Sequence, residues 1–242
     1  MMGKNVVIAQ FLTNMYDPLE NQTLTTIDIV KETHKLYQSV ARYGIELHTL
    51  VNFDNQADPP ELQKVIKIEP FTHYPSDKFY FLRWELTLEY LLNHPEIENA
   101  ALVDAGDVEM MNYPFDDIEE NKIYVGDEEQ NLTAQIVVDD DKPEYLDDFI
   151  KQARYLQLLN TGVVVGSRKI LLEFLSVMVR LFTEDANNEK FYPEVAHLGD
   201  FEMALVNYVL YTKFPKRLCH GRKVTTYFVY YERNSSAWFK HK

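Results

Sequence analysis

Read for its apolar and polar positions, the chain alternates between short apolar runs and longer amphipathic stretches. Residues 5–12 (NVVIAQFL) are apolar and β-branched and are predicted as a first buried strand. Residues 23–44 follow with helical spacing. Ile29, Val30, Thr33, Leu36, Tyr37 and Val40 fall on one side, and Gly44 stops the helix. Residues 45–53 (IELHTLVNF) read as a second strand. After the break at Asp58-Pro59-Pro60, residues 65–71 (VIKIEPF) read as a third. Residues 77–95 carry an amphipathic helix that ends before Pro95, and residues 99–107 (NAALVDAGD) form a central strand.

The middle, residues 116–149, is acidic and loop-rich, and its run Asp139-Asp140-Asp141 is expected to be a solvated turn. Residues 158–167 (LLNTGVVVGS) are another apolar strand, followed by a strongly periodic helix over 168–182. Residues 199–214 read as a further helix with Asp200 as its N-cap. Residues 223–232 (KVTTYFVYYE) alternate like a strand. Tyr227, Phe228, Tyr230 and Tyr231 are assigned to sheet packing there rather than to a sugar platform. This alternation predicts one α/β domain over 1–242 with an open, mostly parallel sheet flanked by helices. Ligands in such sheets sit beyond the carboxyl ends of the strands.

Charge narrows the function. Acidic residues outnumber basic ones 38 to 24, a formal net charge of -14. A duplex nucleic-acid binder needs a basic footprint, and an anionic membrane surface is disfavoured for the same reason. The single cysteine, Cys219, allows no internal disulfide. The apolar run near the N-terminus is about five residues, too short for a leader or a span. A cytoplasmic protein is therefore expected, and the N-x-[ST] triplets at Asn21, Asn131 and Asn234 are read as chance.

Against that surplus of acid, Asp104 and Asp107 stand at the end of the central strand, separated by Ala105 and Gly106. Such a pair can hold a divalent cation, divide into acid and base, or supply a phosphoryl-accepting nucleophile. A plain polar turn also fits.

Four stretches give the pair a context. LVDAGDV followed by NYPF resembles the DxD-type strand end of GT-A glycosyltransferases. LNTGVVVGSRKILLEFL resembles their acceptor-side strand and helix. LGDFEMALVNYVLY resembles the Gly-Asp-Gln-x-x-Leu-Asn helix of glycosyltransferase family 8. AWFKHK resembles the late strand whose histidine completes the metal site in glycogenin-like enzymes. The resemblance implies a GT-A-like fold of the nucleotide-diphospho-sugar transferase type. It also implies a nucleotide-binding half over about 1–107 and an acceptor half over about 108–242.

The same resemblance implies a metal set of Asp104, Asp107 and His241, with His220 as a less favoured third ligand. Mn²⁺, or else Mg²⁺, is the implied ion, and a nucleoside diphosphate sugar, by default a UDP-sugar, is the co-substrate. Phe11, Thr13 and Tyr16 would meet base and ribose. Arg83 and Lys242 would meet phosphate or sugar. Asn160 and Gly162 would line the sugar pocket, with Gly106 letting the backbone approach the phosphates. Asp200, Ala204 and Asn207 would present one helix face to the sugar, with Asp200 as base or sugar anchor. The acceptor would be an unspecified glycan or small-molecule hydroxyl. The chain departs from the family in its Asp-x-x-Asp spacing, in Phe201 after Asp200, and in ending at His241-Lys242, before a diphosphate-clamping tail. A phosphoester hydrolase, or a binding module whose catalytic site has decayed, stays open as an alternative.

Overall fold

The computed structural model describes residues 4–23, 25, 27–69, 78–227, 232 and 234–241. In chain order the elements begin with β1 (Lys4–Phe11), the hairpin β2 (Tyr16–Asp17) and β3 (Gln22–Thr23), α1 (Ile29–Glu32), α2 (His34–Ala41), β4 (Glu46–Val51) and β5 (Gln63–Lys67). Then come α3 (Phe79–Asn93), β6 (Ile97–Asp104), β7 (Val108–Met110), β8 (Ile123–Asn131), α4 (Gln135–Val138) and α5 (Glu144–Ala153). The chain continues through β9 (Gln157–Ser167), α6 (Arg168–Phe191), α7 (Met203–Lys213), β10 (Leu218–His220) and β11 (Phe239–His241).

Seven strands form the main sheet in the order β10-β8-β9-β6-β1-β4-β5. Only β9 runs antiparallel to its neighbours there. Alternate residues of each central strand serve opposite faces. Val6, Ile8, Ala100, Leu102 and Val164 pack with α3, α6 and α7 on one side. Val7, Ala9, Ala101, Val103, Val163 and Val165 pack with α2 and the β7–β11 ribbon on the other. Both faces are covered, which is why these strands read as continuous apolar runs.

Several expectations need correction. The helix expected over 23–44 is two helices broken at Thr33, whose hydroxyl donates to the Ile29 carbonyl. The loop-rich middle contains β8, a buried strand of the main sheet, and two helices. The helix after β9 runs to Phe191. Among the described residues of 223–232 there is only an isolated bridge, Thr225 to Phe239. Phe228, Tyr230 and Tyr231 lie outside the described residues. Asp200 is not an N-cap. Helix α7 starts at Met203, with Glu202 in the cap position.

Candidate metal centre

Strand order places the chemistry at one edge. Strands β1, β6 and β8 end there, and antiparallel β9 begins there, so Asp104, Glu128 and Asn160 arrive at the same rim. Asp107 follows after the turn at Ala105-Gly106. His241 comes from the far end of the chain. Strand β11 pairs antiparallel with β7, and His241 lies opposite Val108, the residue after Asp107. Ala237, Trp238 and Phe239 are buried and anchor that last strand. His241 donates its backbone N–H to Thr226 Oγ1 at 3.2 Å, and its carbonyl accepts from the same hydroxyl at 3.1 Å. It is a packed residue, 3% exposed, and not a frayed end.

One ligand atom each from Asp104, Asp107 and His241 lies within 4.8 Å of the others. His241 Nε2 is 3.6 Å from Asp107 Oδ2 and 3.8 Å from Asp104 Oδ2. Gly162 makes room for the imidazole, because a Cβ at that position would overlap the ring. The glycine read as admitting a sugar therefore has a different physical reason: it admits the histidine. Two carboxylates and an imidazole suit a divalent ion of the Mn²⁺ or Mg²⁺ kind, with the nitrogen favouring Mn²⁺.

A cavity of about 460 Å³ opens beside the pair, lined by Phe11, Arg83, Asp104, Gly106 and Asp107 among others. Gly106 is exposed there, and a Cβ on it would meet nothing within 4 Å. A second cavity, about 520 Å³, lies where β1 and β4 end and includes Thr13. Thr13 is buried, and its backbone N–H and carbonyl both bond the Asn52 side-chain amide. Tyr16 lines neither cavity. It is half exposed on the hairpin and donates its hydroxyl to Asn21 at 2.6 Å. His220 also lies apart, with Nδ1 2.9 Å from Asp127 Oδ2. Lys242 lies outside the described residues.

The NTG stretch of β9 is a bulge. Val125 pairs with Val164, but the next residue, Gly126, pairs with Asn160, so 161–163 leave the β8 ladder. Bulges of this kind re-aim side chains at functional sites. Asn160 closes the bulge, accepting from the Gly162 N–H at 2.8 Å and donating to Glu128 Oε1 at 2.8 Å. Burial pushes the Glu128 carboxyl up, while the bond from Asn160 pulls it down.

Arg83 is the cation of the site. Nη1 donates to Asp104 Oδ1 at 2.7 Å, and Nη2 donates to Thr161 Oγ1 at 2.8 Å and Glu202 Oε1 at 2.5 Å. Burial alone would lower its pKa, but Glu202 and Asp104 outweigh that and hold it charged. Burial works to raise the Glu202 carboxyl, and Arg83 works against it.

The loop before α7 is tied down. Asp140 accepts from the N–H groups of Asp200 and Phe201, and a Cβ at Gly199 would overlap the Asp140 carboxyl. Asp140 is thus a latch and not a solvated turn. Asp185 accepts from Leu198 N–H, and Phe201 packs on Tyr80. Asp200 is exposed. Asn207 does not share a sugar-facing surface with it. Asn207 is fully buried, and its amide bonds both backbone groups of Leu159.

No protein-family model matches the sequence, and no curated protein matches it. Among solved structures the chain is similar to the galactosyltransferase LgtC in complex with donor and acceptor sugar analogues. The match has a TM-score of 0.50 and 12% identity, and it covers 98% of this chain and 86% of that one. The fold is GT-A-like. At that identity the likeness establishes the fold and not membership of family 8. Among the described residues, no helix is long and apolar enough to cross a membrane.

Glu128 and Glu202 were not singled out from sequence. Glu128 is one of three consecutive acids inside β8, and Glu202 is an acid just before a largely apolar helix. Those were the signals available.

Proposed function

We propose that the protein is a metal-dependent glycosyltransferase that moves a sugar from a nucleoside diphosphate sugar, by default a UDP-sugar, to an acceptor hydroxyl. The observation that carries this reading is the convergence of Asp104, Asp107 and His241 beside a cavity at the carboxyl edge of the sheet. The GT-A-like fold supports it. The residues up to about 107 serve the nucleotide, and those after it the acceptor.

Asp104, Asp107 and His241 would hold Mn²⁺ or Mg²⁺. The ion supplies positive charge against the charge that grows on the leaving diphosphate. The protein's own residues do the rest. Phe11, on the cavity beside the carboxylates, and Thr13, on the second cavity, are assigned to base and ribose, and Lys242 is assigned to the diphosphate. Asn160, fixed by the Gly162 N–H and Glu128, frames the sugar pocket. Asp200, on the loop latched by Asp140, is assigned to the sugar or the acceptor hydroxyl. An acidic chain of net charge -14 repels a diphosphate unless local positive charge intervenes.

The test is a panel of nucleotide sugars with and without Mn²⁺, reading released nucleoside diphosphate. Release from one donor that requires the metal supports the proposal. Phosphate release from simple esters, with no sugar nucleotide turned over, would support a hydrolase instead. Binding without turnover would support the decayed module.

A further inference from the structure

The metal ligands are only part of the buried charge at this rim. Asp104 is bound on its Oδ1 side by Arg83, while its Oδ2 faces His241. Arg83 is in turn shared with Glu202, which is 97% buried, and with Thr161, whose hydroxyl donates to Glu202 at 3.1 Å. We propose that Glu202 is a positioning residue that acts through Arg83 to set how strongly Asp104 can serve a divalent cation. The proposal rests on the metal reading above.

A single guanidinium faces two carboxylates, Asp104 and Glu202. Side-chain exposure is 4% for Glu202, 12% for Arg83 and 33% for Asp104, so the Arg83–Glu202 contact is the drier and stronger of the two. Glu202 therefore takes up much of the positive charge that would otherwise compete with a cation for Asp104. It also fixes the guanidinium so that Nη1 bonds Oδ1 and leaves Oδ2 directed at the ligand cluster. Fixing a metal ligand through its neighbours is how such sites tune affinity. Thr161 reaches this network because the β9 bulge turns it out of the ladder. Glu202 reaches it because Asp140 and Asp185 hold the loop before α7.

The test is Mn²⁺ titration of the full chain, followed by the EPR signal of the free ion, in a double-mutant cycle of Glu202→Gln and Arg83→Gln. In the wild-type background Glu202→Gln is expected to weaken Mn²⁺ about tenfold, within the usual range of coupling between contacting groups. In the Arg83→Gln background the same change should alter affinity by less than about twofold, since the route through the guanidinium is gone. A purely structural role would lower melting temperature in both backgrounds and leave the affinity alone. Should Glu202→Gln fail to fold, Thr161→Val removes the bridging hydroxyl and is expected to weaken Mn²⁺ about threefold. Wild-type affinity in whichever of these two variants folds overturns the inference, as does equal weakening by Glu202→Gln in both backgrounds. If the wild-type chain itself binds no Mn²⁺, the metal reading fails, and this inference with it.

Discussion

The two flanks of β9 differ in how they are built. On the β6-β1-β4-β5 side, strands run parallel, with unbroken ladders from β1 through β4 to β5, and helices return over the faces. On the β8-β10 side, β9 runs antiparallel to β8 and the ladder between them is broken by a bulge. Strand β10 pairs with β8 across about ninety residues, as β6 does with β1, and His241 reaches Asp107 on the separate β7–β11 ribbon. The first flank supplies a rigid platform with Asp104 at its end. The second, with β9 itself, supplies Glu128, Asn160 and Thr161, and it depends on polar ties to hold them.

Expected effects follow from that contrast, and breaking the joint between the flanks should cost most. Arg83→Ala leaves Glu202 buried without its counter-ion, an expected loss of about 3–5 kcal/mol, measurable by urea unfolding. A smaller loss, near that of surface ion pairs, would mean the pair is wetter than its burial says. Gly162→Val forces a side chain into the His241 ring. Overpacking of this kind is expected to lower stability by about 1–3 kcal/mol, and Mn²⁺ should no longer raise the melting temperature.

On the loop side, Asp140→Ala removes the acceptor for two backbone N–H groups, an expected loss of about 1–2 kcal/mol in the same unfolding assay. It should also reduce donor turnover by loosening Glu202.

The effect with least bearing on the site lies at the opposite edge of the platform. Burial opposes ionisation of Glu46, but bonds with His48, Lys4 and Lys64 outweigh it and hold its pKa at about 2, against an ordinary 4.5. Because the folded value is the lower one, Glu46 adds stability above about pH 4.5 and loses it as pH falls toward 2. Glu46→Gln should flatten that part of an acid-unfolding curve and leave Mn²⁺ binding unchanged.

The same contrast governs what the sequence could tell. The platform was legible because its strands are short apolar runs and its helices are periodic, and Asp104 stood out as a carboxylate ending such a run. Strand β8 was not, because Asp127, Glu128 and Glu129 interrupt its apolar pattern. Two of those acids are buried only through partners, Asn160 and His220, that lie far away in sequence. The Asp140 latch looked like a solvated turn for the same reason: the backbone it binds lies sixty residues on. His241 was legible only through resemblance. Gly162 was read as lining a sugar pocket, and the His241 ring that its missing Cβ admits could be seen only in three dimensions.

The central claim is that Asp104, Asp107 and His241 bind one divalent cation. Pulsed EPR of Mn²⁺ added to the protein reads the ligands directly. A bound ion with one imidazole nitrogen coupled to it is expected. That coupling should vanish in His241→Gln, and the bound ion should vanish in Asp107→Ala, with the protein still folded. A nitrogen coupling that survives His241→Gln, or Mn²⁺ bound equally well by Asp107→Ala, would contradict it.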